Sequence, residues 1–188
     1  MKLSDRFALH GSDKHLGTSE GHSYGPVYDA VLAPLKGQIS RVLEIGVLGG
    51  ASIRAWRDYF DCQVVGLDVA VESRTEWLIT VKKCDATNKE QLDLALDDQT
   101  FALIIDDGSH WEEHQLKSFE LLKDRLRPGG IYVVEDIQCA TSHDKFRELG
   151  FRIVDLRQVR HRFDDVLAFY QAPDPRNTLP KLDFSQWR

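Results

Sequence analysis

The sequence predicts an α/β fold: a doubly wound, mostly parallel, seven-stranded sheet closed by a C-terminal antiparallel hairpin. Three observations carry this. Short continuous runs rich in Val, Ile and Leu recur along the chain, as parallel strands covered on both faces require. Stretches of helical apolar spacing lie between them and make βαβ units. Towards the C-terminus two more short apolar runs are separated only by a polar stretch.

Arg41-Val42-Leu43-Glu44-Ile45-Gly46 reads as a buried strand entering a tight turn, and a helix over Ala51 to Phe60 follows, with Ser52 near its start. Gln63 to Asp68 is the second strand, and Ile79 to Lys83 a weaker, alternating third. The next helix runs from Asn88 to Leu96, with Thr87 or Asn88 as its N-cap. Phe101 to Asp106 is the fourth strand. Over Trp111 to Leu126 the residues Leu116, Phe119, Leu122, Lys123 and Leu126 fall at spacings of three and four, so one face is apolar. Arg127-Pro128-Gly129-Gly130 reads as a helix stop and turn, and Ile131 to Glu135 as the fifth strand. Asp144 to Leu149 is a short helix, and Phe151 to Leu156 with Val166 to Gln171 form the hairpin. Residues 1–172 make one domain, and the Pro-containing polar tail 173–188 is extended. The first 25 residues show no clear strand or helix. They hold Gly11, Gly17, Gly21 and Gly25 with three of the seven histidines, and they are expected to cover a ligand site as a loop.

The 188 residues amount to one domain, and contents of 42% hydrophobic and 29% charged residues are those of a globular protein. A net charge of −6 argues against nucleic acid or an anionic membrane as partner. The basic run from Arg157 to Arg162 reads as a solvated patch. Cys62, Cys84 and Cys139 are scattered, with no CxxC, so a reducing, cytoplasmic compartment is expected rather than a disulfide framework. Met1 to His15 has no apolar signal-peptide core, and no apolar stretch is long enough to span a membrane.

In an open α/β sheet the ligand sits at the carboxyl ends of the strands. Here all five ends are acidic: Glu44, Asp68, Asp85, Asp106-Asp107 and Glu135-Asp136. The last two pairs end adjacent strands about 4.8 Å apart. Carboxylates that close repel unless a cation sits among them, and an all-oxygen set favours Mg²⁺ or Ca²⁺. His110 and His114 stand four apart, but Trp111 occupies the glutamate position of an H-E-x-x-H zinc helix, which argues against zinc hydrolysis.

The first turn, Glu44-Ile45-Gly46-Val47-Leu48-Gly49-Gly50, resembles the E-x-G-x-x-G loop of class I S-adenosylmethionine methyltransferases, which are Rossmann-like. The resemblance implies cofactor binding by Glu44, Gly46, Gly49 and Ser52, with Asp68 as acceptor for the ribose hydroxyls and Asp85-Ala86 at the adenine. Asp106 serves the cofactor or caps the following helix, and Tyr24 closes over the cofactor or packs. From about Gly11 to Gln138 the chain resembles the metal-dependent sugar O-methyltransferases of macrolide biosynthesis. The motifs are Gly11-Ser12-Asp13-Lys14 with His22-Ser23-Tyr24, Leu43-Glu44-Ile45-Gly46, Gly49-Gly50-Ala51-Ser52, Trp56-Arg57-Asp58-Tyr59-Phe60, Ile105-Asp106-Asp107-Gly108-Ser109-His110, and Arg127-Pro128-Gly129-Gly130 through Glu135-Asp136. This implies Mg²⁺ held by Asp107, Glu135 and Asp136, His110 as the base, and a sugar or polyol hydroxyl as acceptor. Asp107 as both ligand and base is the alternative. A metal-independent methyltransferase and a non-catalytic cofactor-binding protein are the rival classes, and a homo-oligomer is compatible with each.

Overall fold

The computed structural model describes residues 1–15, 21–177 and 179–187. One eight-stranded sheet runs through it in the order β3-β4-β2-β1-β5-β6-β8-β7. The strands are β1 (Arg41–Ile45), β2 (Gln63–Asp68), β3 (Arg74–Glu76), β4 (Ile79–Lys83), β5 (Phe101–Asp106), β6 (Leu126–Val134), β7 (Arg152–Asp155) and β8 (Val166–Gln171). The helices are α1 (Leu3–His10), α2 (Tyr24–Leu32), α3 (Ala51–Phe60), α4 (Lys89–Leu96), α5 (Glu112–Leu122), α6 (Ala140–Glu148) and α7 (Arg157–Arg160). β4, β2, β1, β5 and β6 are mutually parallel. The C-terminal hairpin adds antiparallel to β6 through β8.

Both faces of the sheet are covered, which is why its strands read as continuous apolar runs. On one face Leu3, Phe7, Tyr28 and Trp56 pack over Val42, Ile105 and Val133. Phe7 and Tyr28 meet the Trp56 ring edge-on at 4.9 and 5.1 Å. On the other, Phe119, Phe146 and Phe151 pack with Leu43, Ile104 and Tyr132.

Four expectations need correction. The sheet has eight strands rather than seven, because the short β3 pairs antiparallel with β4 at the edge. Its Arg74-Thr75-Glu76 carries no apolar pattern, so backbone pairing alone makes it a strand. The N-terminal segment is not all loop: α1 buries Leu3 and Phe7, and α2 starts at Tyr24. Gly17 lies outside the described residues. The long helix ends at Leu122, and Arg127 to Gly130 belong to β6 instead of a stop and turn, with a register shift opposite Phe101 and Leu103. The basic run is not simply solvated, since Arg160 donates to the Gly21 carbonyl and Arg162 reaches Asp164 and His22. In the tail, Leu179, Leu182, Phe184 and Trp187 pack against the first face.

Candidate active site

β1 lies between β2 and β5, so the chain leaves it in opposite directions to reach its neighbours. Ligands bind at such switch points in open sheets. Gly46, at φ +86°, follows β1 and comes so close to the β5 loop that an added Cβ would stand 1.9 Å from the Asp107 carbonyl oxygen. Leu48 takes the left-handed conformation at φ 45°. The loop is held by Asp68, whose Oδ2 accepts from the backbone N–H of Val47 at 2.8 Å and Leu48 at 3.1 Å, and whose Oδ1 accepts from Ala70 at 2.7 Å. Burial raises the Asp68 pKa, but these N–H donors outweigh it and hold the carboxyl below its usual range.

Beside this loop runs a cleft lined by Gly46, Asp68, Asp85, Ala86 and Asp106, together with Leu67, Gly108, Ser109, His114 and Ser118. Asp85 is kept low by Thr87, whose hydroxyl and N–H donate to it at 2.7 and 2.8 Å. Asp106 is buried, which pushes it up to about 7, and Tyr132 donates to it at 3.2 Å. Ser109 Oγ lies 2.8 Å from His114 Nδ1, and the Trp111 ring stacks on that imidazole at 5.7 Å.

Tyr24, Glu44, Gly49 and Ser52 do not line this cleft. Glu44 lies under the glycine loop, fully buried. Ser52 donates to its Oε2 at 3.0 Å, Oε1 has no hydrogen-bond partner, and burial raises it to about 7. Gly49 faces open space.

The acids at the ends of β5 and β6 meet a cation that the sequence reading left unassigned. Lys14, 1% exposed, places its Nζ 2.5 Å from Asp107 Oδ2, 2.6 Å from Glu135 Oε2 and 3.9 Å from Glu44 Oε1. Tyr28 donates to the other Glu135 oxygen. One ammonium cannot neutralise three carboxylates. Burial drives Glu135 upward, and although burial opposes the ammonium, the surrounding acids hold Lys14 well above its ordinary value.

Outside Lys14, Asp107, His110 and Asp136 each offer a ligand atom within 4.8 Å of the others. His110 and Asp136 both have positive φ, 59° and 55°. Non-glycine residues adopt this conformation at a cost that surrounding structure must hold, and they concentrate at functional sites. His110 Nε2 is 3.7 Å from Asp136 Oδ2, and its buried Nδ1 has no partner. His110 precedes α5 and His114 turns to Ser109, so the two do not form a zinc pair on a helix. A second group, His22, Asp136 and Asp164, also lies within reach of one ion. There Arg162 already supplies a positive charge, 3.2 Å from Asp164 and 3.1 Å from His22 Nε2.

Residues 22–24 lie against Asp136 and Asp165. Tyr24 donates to Asp136 Oδ1 at 2.5 Å and accepts from the Asp136 N–H, and the His22 ring stacks on it at 4.7 Å. The Ser23 N–H donates to Asp165 at 2.9 Å. Burial opposes the imidazolium of His22, but Asp165 and Asp136 outweigh it and raise its pKa.

The structure brings five of the cofactor residues named from sequence to one cleft, and it gathers Glu44, Asp107 and Glu135 around the Lys14 ammonium. Sequence reasoning missed Lys14, Tyr28, Ser109 and His114. Lys14 stood in a motif already noted for resemblance, but nothing in its local pattern marks it as buried.

No protein-family model matches the chain. It is 40% identical over 141 residues to the 8-demethyl-8-alpha-L-rhamnosyl tetracenomycin-C 2'-O-methyltransferase of Streptomyces olivaceus, covering 70% of this chain and 36% of that protein. It is 39% identical over 129 residues to the mycinamicin VI 2''-O-methyltransferase of Micromonospora griseorubida, covering 63% and 32%. The chain thus spans about a third of the length of the curated relatives it matches. Among solved structures, the MycE methyltransferase from the mycinamycin pathway, crystallised with Mg and SAH, superposes with a TM-score of 0.74 at 25% identity, over 100% of this chain and 58% of that one. The fold and these matches define a class I methyltransferase fold. Within that class the chain resembles the sugar O-methyltransferases of macrolide biosynthesis.

Proposed function

We propose that the chain binds S-adenosylmethionine and transfers its methyl group to a hydroxyl of a sugar or other small polyol, assisted by Mg²⁺. The observation that carries this reading is the juxtaposition of two sites at the carboxyl ends of the parallel strands: the cleft of Asp68, Asp85 and Asp106 adjoins the Asp107, His110 and Asp136 group. The residues fit both groups. The cleft has apolar flanks at Leu67 and Ala86 with carboxylates between, which suits a nucleoside. The second site offers the carboxylates of Asp107 and Asp136, suitable for a hard divalent ion completed by water or substrate oxygens, with the His110 imidazole beside them.

When bound, the cofactor supplies a sulfonium-activated methyl group and the metal lowers the pKa of the acceptor hydroxyl. The chain's residues hold the two in line. Asp68 and Asp85 take the ribose and the adenine, Glu44 and Ser52 support the glycine loop, and Asp106 closes the cleft. Asp107, Glu135 and Asp136 would hold the metal. His110 takes the hydroxyl proton as the carbon–sulfur bond breaks and the carbon–oxygen bond forms. Residues 1–172 are read as the single domain for this reaction, with 1–25 covering the site. The net charge of −6 favours a small acceptor over nucleic acid, and a cytoplasmic setting fits the scattered cysteines. Among the described residues no helix is long and apolar enough to cross a membrane. The test is transfer of labelled methyl from S-adenosylmethionine to a panel of glycosides, with Mg²⁺ and with chelator. Transfer that persists in chelator favours the metal-independent alternative, and tight cofactor binding without turnover on any acceptor favours a binding protein.

A further inference from the structure

We propose that Trp111 is a specificity-determining residue: its indole ring is the platform on which the carbon–hydrogen face of a pyranoside acceptor lies. The proposal rests on the transfer reading above and deepens it, because it says how the chain tells a sugar ring from an open-chain polyol.

Trp111 is 69% exposed, an unfavourable state for so large an apolar ring. Helix capping does not explain it. Trp111 stands at the N-cap of α5, where Ser, Thr, Asp or Asn would serve, and its side chain makes no cap bond. Core packing does not explain it either. Among the described residues its one ring contact is His114, stacked at 5.7 Å and 21°, which leaves an aromatic face open to solvent. The exposed Trp77, by contrast, lies under the Arg57 guanidinium at 5.5 Å.

The place of the ring gives that open face a use. His114, on which it stacks, lines the cofactor cleft with Ser109. His110, the residue before it, belongs to the group with Asp107 and Asp136. The backbone between them is fixed. The Trp111 carbonyl accepts from the Gln115 N–H at 2.9 Å, and the buried Gln115 side chain donates to the Glu135 carbonyl at 2.9 Å. The indole therefore stands between the cleft of the methyl donor and the acids. A hydroxyl oriented at Asp107 and Asp136 towards that cleft brings the rest of its sugar beside this ring. The negative face of the indole attracts the slightly positive C–H groups that a pyranose gathers on one side, and the hydroxyls stay free for the acids. An alditol carries the same hydroxyls but no rigid C–H face.

Methyl glycosides of rhamnose, galactose and glucose are the probes, each beside its open-chain alditol. Wild type methylates at least one glycoside with a KM about tenfold below that of the matching alditol. Trp111→Ala raises the KM for that glycoside about tenfold. It leaves kcat at saturation little changed, because the ring contact is the same in the ground and transition states. The alditol KM and the S-adenosylhomocysteine affinity by calorimetry stay as in wild type, and Trp111→Phe restores most of the glycoside KM. Should Trp111→Ala melt lower than wild type, Trp111→Leu, which keeps bulk without a π-face, carries the same comparison. Wild type that uses glycoside and alditol equally well overturns the proposal, as does an unchanged glycoside KM in Trp111→Ala. A fall in S-adenosylhomocysteine affinity in Trp111→Ala also overturns it, by assigning the ring to the cofactor. Failure of wild type to methylate any glycoside overturns the transfer reading and this proposal together.

Discussion

Asp68 is committed to the glycine loop before any ligand arrives. Its two oxygens already accept three backbone N–H groups, so Oδ1 keeps a lone pair for a ribose hydroxyl but the carboxylate has little freedom to move. Charge-assisted bonds of this kind contribute about 1.5–3 kcal/mol each. Asp68→Ala is therefore expected to weaken S-adenosylhomocysteine binding at least tenfold by calorimetry, about 1.4 kcal/mol, with a lower melting temperature as the loop loosens. Undiminished affinity would remove Asp68 from the cofactor site. His110 carries the catalytic prediction. His110→Ala should lower kcat by roughly 10²–10⁴ and spare S-adenosylhomocysteine affinity. Retention of turnover would transfer the role of base to Asp107. Lys14 shows why some of the site was illegible. Acids at strand ends stand out because strands end predictably, whereas a lysine in a loop reads as solvated until the fold buries it.

At the scale of elements, the turn between β1 and α3 is fixed by its contact with the β5 loop. Gly46→Ala would push a methyl group into the Asp107 carbonyl and place a Cβ at φ +86°. The expected result is a loss of more than about 4 kcal/mol, in the range reserved for core and backbone disruption, seen as a large fall in denaturant midpoint. A midpoint within error of wild type would mean that the two loops part easily. The strands that were legible have their sequence-read bounds within a residue: β1, β2 and β5 because both faces are buried, and β4 because buried Ile79 and Val81 alternate with half-buried Thr80 and Lys82. β3 escaped because its three residues are polar and exposed or half-exposed. α1 escaped because an eight-residue helix with only Leu3 and Phe7 buried leaves too little periodicity to read. β6 was shortened in the reading because Arg127-Pro128-Gly129-Gly130 has turn composition. It pairs nonetheless, at a register shift where an irregular strand is tolerated.

For the molecule as a whole, the buried acids give the free energy of folding an unusual pH dependence. Asp106 rises from 3.8 to about 7 on folding, so the folded state holds its proton more tightly than the unfolded chain. The sign follows from proton linkage. This group favours folding fully below the unfolded value, and its contribution is lost as pH rises from about 4 to about 7. Glu44 acts in the same direction between 4.5 and about 7. Metal-free protein should therefore lose a few kcal/mol across that window. Asp106→Asn, which keeps an acceptor for Tyr132, should flatten the profile. An unchanged slope in denaturant titrations at pH 5 and 7.5 would show that Asp106 is ionised throughout.

The clasp between the N-terminal segment and the loop after α7 has a kinetic corollary. Ser23 meets Asp165, Arg160 meets Gly21 and Arg162 meets His22, partners separated by 142, 139 and 140 positions along the chain. Contacts of such sequence separation form late, because loop-closure entropy is spent before they repay it. During synthesis the ribosome emits His22 and Tyr24 long before Asp164 and Asp165 exist. A nascent chain halted ahead of Arg160 has β1, β2 and β5 available to pair, yet it lacks the groups that hold its first residues over the acids. The contacts that hold residues 22–24 over these acids are then made only after the central strands have assembled.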